Sequence, residues 1–112
     1  MPARFEIKKA SNGEFMFNLK AANGEVVLTS ELYKAKASAF NGIESVKKNA
    51  GDSKRFDRRV SQDGKPYFAL RAGNGQDIGR SEMYESEKAR EGGIKAVAKA
   101  ASGAAVLEVA GA

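Results

Sequence analysis

The sequence predicts an α+β fold: two βββα repeats and a final strand forming one antiparallel sheet, with two helices on one face. Three observations lead there. The 112-residue chain repeats itself at an offset of 51 residues without a gap, and 16 of the 48 positions from 4 to 51 are identical in the second copy. In each copy, stretches of alternating apolar and polar residues precede a stretch of helical period. Each half is also too short to bury a comfortable core alone, so the halves are expected to share one.

The first strand is read from Phe5-Glu6-Ile7-Lys8 and the second from residues 15 to 21, with the turn residues Ser11-Asn12-Gly13 between them. Asn23-Gly24 is a strong hairpin signal because both residue types tolerate positive φ, and residues 25 to 29 return as a third strand. From 34 to 50 the period is helical, with Ala35, Ala39, Phe40, Ile43, Val46 and Ala50 as the apolar stripe. Gly51-Asp52 is expected to close that helix in the left-handed conformation. The second copy repeats the order at 56–60, 67–72 and 77–80, followed by a helix from about 86 to 101. Ser86 is its N-cap, and Glu87 and Glu91 lie toward its positive end. The run Ala105-Val106-Leu107-Glu108-Val109 reads as a last strand, and no linker is long enough to separate independent domains. Residues 1–112 are therefore one domain of two repeats, 4–51 and 55–102, plus the strand at 105–109.

Both copies carry G-x-x-x-F-x-L-x-A-x-N-G, then S-E-x-Y, then G-I-x-x-V-x-K. On this pattern the chain resembles the YegP-like family, small bacterial proteins made of tandem domains of roughly 50 residues. The resemblance implies one antiparallel sheet with helices packed on it and a C-terminal strand exchanged between repeats. It offers no activity, ligand or catalytic residue to transfer. Three departures stand out: Pro66 replaces Phe15, Gly79 replaces Leu28 and Arg58 replaces Ile7. A proline at a strand start suits an edge, so the two hairpins need not be equally regular.

The chain has no Cys and no His, which removes disulfides, thiolate chemistry, the commonest zinc ligands and the usual near-neutral base. No cofactor motif is present: Gly73-Asn74-Gly75 lies in a strand-turn-strand pattern, so it reads as a hairpin and not a phosphate loop. Residues 1 to 5 lack the pattern of a secretory signal, and no stretch is apolar enough to span a membrane, so a cytoplasmic location is expected. Net charge is +5, spread over both halves, with a pI near 9.6. That allows weak attraction to anionic polymers.

Gly42 and Gly93 each sit inside a helix, where glycine costs roughly 0.5–1 kcal/mol relative to alanine. Close packing of the helix is the expected compensation, and ligand access to its backbone the alternative. Tyr33 and Tyr84 could line two equivalent clefts with Ser30, Glu31, Ser81 and Glu82. The favoured account instead buries each ring under its helix, with a local hydrogen bond for the hydroxyl.

Strand alternation turns Phe5, Ile7, Phe17, Leu19, Val27, Phe56, Phe68, Leu70 and Ile78 toward the helices. It turns Arg4, Lys8, Met16, Lys20, Arg55, Arg59, Tyr67 and Arg71 the other way. Lys8, Lys20, Arg55, Arg59, Tyr67 and Arg71 are the candidate anion-binding face, a platform on which single-stranded nucleic acid could bind by phosphate contacts and stacking. Glu6, Asp57 and Asp77 share that face and can pair with its cations, which makes a charge-paired solvated surface the stronger expectation. The sequence thus reads as a non-catalytic interaction or accessory protein, a monomeric pseudo-dimer without a membrane partner. Weak binding of nucleic acid or another polyanion is the alternative.

Overall fold

Residues 2–109, which the computed structural model describes, follow the predicted order. The strands are β1 (Arg4–Lys9), β2 (Phe15–Lys20), β3 (Val26–Ser30), β4 (Phe56–Val60), β5 (Pro66–Arg71), β6 (Asp77–Arg80) and β7 (Ala105–Glu108). The helices are α1 (Lys36–Asn49) and α2 (Glu87–Ala101), with a 3-10 turn at Ser53–Arg55. All seven strands join one sheet in the order β4-β5-β6-β3-β2-β1-β7.

Every hairpin turn is built the same way. In the turn at 21–25, Ala21 N–H donates to Glu25 O (2.9 Å) and Gly24 N–H to Ala21 O (2.8 Å); 10–14, 61–65 and 72–76 repeat the pair. Only the glycine of each turn takes a positive φ, 86° at Gly24. Asn23 does not, contrary to expectation; its Oδ1 instead accepts from Glu25 N–H (3.0 Å).

The helices also depart in detail from the prediction. α1 starts at Lys36, the position equivalent to Glu87 at the start of α2; Ala35 at its N-cap has no side-chain oxygen, whereas Ser86 caps α2 as expected by accepting from Ala89 N–H (3.0 Å). Gly51 does not close α1 in the left-handed conformation; the chain turns through Ala50, and Asp52 caps the 3-10 turn. Phe40 and Ala35 are exposed, so the buried stripe of α1 narrows to Ala39, Ile43, Val46 and Ala50.

All nine residues assigned to the helix side are buried. Each repeat stacks three aromatic rings: Phe5 meets Phe17 edge-on (5.8 Å between centroids, 72°), and Phe17 lies parallel to Tyr33 (6.3 Å, 9°). Phe56, Phe68 and Tyr84 repeat this at 5.6 Å and 70°, then 6.2 Å and 10°. Full burial of each such side chain contributes on the order of 1.5–3 kcal/mol.

The tyrosines explain the helical glycines. A Cβ at Gly42 would lie 2.9 Å from Tyr33 Cζ and nearer still to its hydroxyl, and one at Gly93 would lie 2.6 Å from Tyr84 Cζ. The ring therefore occupies the space a helix side chain would need, which is the packing reason expected. The hydroxyls, however, make no hydrogen bond to another described residue.

The serines of S-E-x-Y work at the strand ends. Ser30 Oγ accepts from Phe17 N–H (2.8 Å) and donates to Glu31 O (2.8 Å); Ser81 does the same with Phe68 and Glu82. Beyond them Phe15 and Tyr33 exchange both backbone bonds, whereas Pro66 leaves its repeat only Tyr84 N–H to Pro66 O (2.7 Å). Pro66 is the first residue of β5, an inner strand, so position along the strand, not an edge, accommodates it.

The repeats meet where β3 runs antiparallel to β6, Thr29 opposite Arg80 and Ser30 opposite Gly79. A Cβ at Gly79 would lie 2.6 Å from the Thr29 carbonyl and 3.2 Å from Leu28 Cγ. Leu28 is fully buried, so near the pseudo-two-fold axis one leucine fills space that two cannot share. A bulge at the same place in each repeat, between Leu19 and Lys20 and between Leu70 and Arg71, lets Val27 and Leu28 both face the core.

The sheet is mixed, which corrects the expected all-antiparallel arrangement. β7 pairs parallel to β1, Arg4 opposite Ala105 and Ile7 opposite Glu108, and Lys36 Nζ holds Glu108 at 2.7 Å. The strand returns from α2 to the far side of its own chain's first repeat, where it runs antiparallel to β6, the strand before the helix, and therefore in the same direction as β1. The corresponding edge of β4 is left uncovered. There Arg58, at the position of Ile7, forks onto Glu91 through Nε and Nη2, with its closest approach 2.6 Å. A charge on the inward side of an edge strand opposes further strand addition.

Two substitutions test this packing. Gly93→Ala is expected to cost about 1–3 kcal/mol in denaturant unfolding despite alanine's better helix propensity, and the cost should shrink in a double-mutant cycle with Tyr84→Ala. Gly79→Leu, which restores the other repeat's residue, should cost more than about 3 kcal/mol because a backbone oxygen blocks it.

Candidate functional site

The open face of the sheet is where the sequence places the candidate residues, and cross-strand register shows what they meet. In the first repeat Glu6 lies between two cations: Arg4 Nε reaches Oε2 at 2.9 Å and Lys20 Nζ reaches Oε1 at 3.0 Å. The Lys20 ammonium, with Arg4 beside it, holds the Glu6 carboxyl below its ordinary value.

The second repeat builds a larger network around Arg59. Its Nε donates to Asp57 Oδ2 (2.8 Å), while Nη1 and Nη2 fork onto the two oxygens of Asp77 at 2.9 Å each. Arg59 lowers the pKa of Asp77, and the two carboxylates raise that of Arg59. Arg71 spends its guanidinium on Gly75 O (2.9 and 2.7 Å) and approaches Asp77 at 3.9 Å.

Of the six candidate residues, Lys20, Arg59 and Arg71 are thus held in ion pairs on this face. Tyr67 lies beside Arg59 on β5, half-buried. Lys8 has no carboxylate within 4 Å among the described residues. Arg55 does not belong to the strand set: it ends the 3-10 turn before β4, with its Nε 3.8 Å from Asp52.

Alternation missed Arg80. It shares the parity of Ile78, which predicts an inward side chain, but the bulge shifts the phase and pairs it with Ala69 and Thr29 on the open face. Half-exposed, it approaches Glu31 at 3.9 Å. The signal that could have found it is the asymmetry Thr29/Arg80 across the repeats.

The two tyrosines do not line equivalent clefts. Tyr33 borders a cleft of about 420 Å³ between α1 and the β5–β6 hairpin of the other repeat, together with Glu31, Asn41 and Gln76. Beside α2, a space of about 450 Å³ is lined mainly by alanines, among them Ala3, Ala21, Ala96 and Ala100, and Tyr84 does not border it. Among the described residues, no three His, Cys, Asp or Glu side chains gather as a metal site would require. No helix of the described residues is long and apolar enough to cross a membrane.

The model of a domain of unknown function, DUF1508, matches residues 10–57 and again 61–108. The chain belongs to this family. Its unit keeps the 51-residue offset but starts before β2 and ends in the strand after each helix, so the second unit closes with β7. A UPF0339 protein of Acinetobacter baylyi is 50% identical over 111 residues, covering 99% of this chain and 100% of that protein. One from Bordetella pertussis is 55% identical over 98 residues, 88% of each chain. The solution structure of yegP from E. coli, a protein of unknown function, superposes with a TM-score of 0.93 at 43% identity, covering 100% of this chain and 97% of that one. These findings establish the YegP-like family that the repeat pattern suggested.

Acid titration tests the ion networks. A carboxyl whose folded pKa is lowered stabilises the fold above its unfolded value, 3.8 for Asp77, and that contribution is lost as pH falls through the lower folded value. Asp77→Asn should therefore melt below the wild type at neutral pH, and the gap should close in strong acid. A gap independent of pH in thermal unfolding would contradict the pairing.

Proposed function

We propose that the protein acts by binding, as a non-catalytic interaction or accessory protein. The observation that carries this reading is the pairing of its carboxylates, with Glu6, Asp57, Asp77 and Glu91 each held by a cation at 2.6–3.0 Å. Among the described residues, Glu6, Asp63, Asp77 and Glu91 are lowered, while Tyr33, Tyr84, Arg58 and Arg59 are raised. General acid–base catalysis calls for the opposite, a group brought toward the working pH. The ion pairs that cause most of these shifts also occupy the carboxylates that might otherwise act as nucleophiles.

A second reading, binding of single-stranded nucleic acid or another polyanion on the open face, is favoured by the outward Lys8, Tyr67 and Arg80. Its weakness is that phosphate would have to displace carboxylates already bonded to Lys20 and Arg59. A labelled oligothymidylate titration separates the two readings. No saturable binding tighter than about 100 μM at 50 mM salt is expected. Micromolar binding that weakens several-fold at 200 mM salt, and disappears with Lys20→Glu, Arg59→Glu and Arg71→Glu, would replace the first reading with the second. Hydrolysis of chromogenic phosphate or carboxylate esters above the buffer rate would overturn the absence of catalysis.

A further inference from the structure

We propose that the cleft beside Tyr33 is a binding site for a small, uncharged, polyhydroxylated ligand of the saccharide class. Neither repeat makes this cleft alone. One wall is α1, with Ser38, Asn41 and Ser45, and the other is the β5–β6 hairpin, with Asn74, Gln76 and Asp77. Tyr33 and Gly42 lie at its α1 side, and Ala72 and Ile78 supply apolar surface.

The duplication provides a control within one molecule. At the corresponding positions beside α2, Ser38, Asn41 and Ser45 become Ala89, Gly92 and Ala96, while Gln76 and Asp77 become Glu25 and Val26. The same framework therefore folds with small apolar residues on the helix wall, so packing does not require the polar set. The Tyr and Gly that the fold needs are present in both copies; the hydrogen-bonding groups were gathered in one.

The chemistry of those groups defines the ligand. The Tyr33 hydroxyl, the Ser38 hydroxyl and the Asn41 and Gln76 amides make no side-chain hydrogen bond to another described residue. Each can both donate and accept, which matches a ligand hydroxyl. No Lys or Arg is among the lining residues, whereas Glu31 and Asp77 are, so an anionic ligand is disfavoured. Both acidic side chains are approached by cations outside the lining, Asp77 by Arg59 at 2.9 Å and Glu31 by Arg80 at 3.9 Å, so the uncharged groups are the ones left for ligand hydroxyls. A volume of about 420 Å³ lies in the range of small-molecule sites.

The test is an amide-resolved NMR titration of the whole protein with maltose and cellobiose. Shifts are expected at residues 31–45 and 72–78, saturating with a Kd in roughly the millimolar range. Affinity should fall at least about tenfold in Ser38→Ala/Asn41→Ala/Ser45→Ala, a variant rich in good helix formers, and in Gln76→Ala on the opposite wall. The site assignment fails if neither disaccharide shifts these residues, if residues 82–96 shift equally, or if both variants bind as the wild type does. The ligand class fails if glucose 6-phosphate or capped trialanine binds more tightly than either disaccharide.

Discussion

The antiparallel seam between β3 and β6 is the constraint on which the molecule depends. Through Thr29, Ser30, Gly79 and Arg80 it turns two three-stranded meanders, each of marginal size, into one sheet whose helices cross from one repeat to the other. The seam cannot be symmetric in its side chains. Leu28 occupies the space near the axis, and Gly79 yields it, since a side chain there would meet the Thr29 carbonyl. Duplication supplied the two halves, and a single leucine-to-glycine difference lets them close together.

The ends of the sheet are managed by different means. β7 covers β1, where the inward Ile7 is fully buried, and β4 stays open, where the inward position is Arg58 paired with Glu91. Arg90 extends that cluster: it is buried at the position of Ala39 and reaches Glu91 at 3.2 Å. A covered strand can carry isoleucine on its inner side, whereas an open one that did so would present an apolar edge for further pairing.

On the open face the same logic of pairing recurs. Charges that look in sequence like a basic platform are arranged so that Glu6 and Asp77 lie between cations and Asp57 is bonded to Arg59, although Arg4 Nη1 is buried without a hydrogen-bond partner. A polyanion bound there would have to displace carboxylates already bonded to Lys20 and Arg59. The cleft beside Tyr33 differs, because the Tyr33 and Ser38 hydroxyls and the Asn41 and Gln76 amides make no side-chain hydrogen bond to another described residue. It lies where the two copies have diverged.

Much of this was legible along the chain. The repeat, the element order, the nine inward residues of the strands, Ser86 as a cap and the packing role of Gly42 and Gly93 all follow from local pattern, because periodicity and cap chemistry act within a few residues. The position of β7, the inward charge of Arg58 and the phase of Arg80 were decided elsewhere. A strand's partner, a bulge and a cleft between repeats depend on residues brought together from distant stretches of the chain. The sequence by itself determined what each half would be; only the tertiary structure decided how unequal halves share one core, since two bulky side chains cannot occupy one place on an axis.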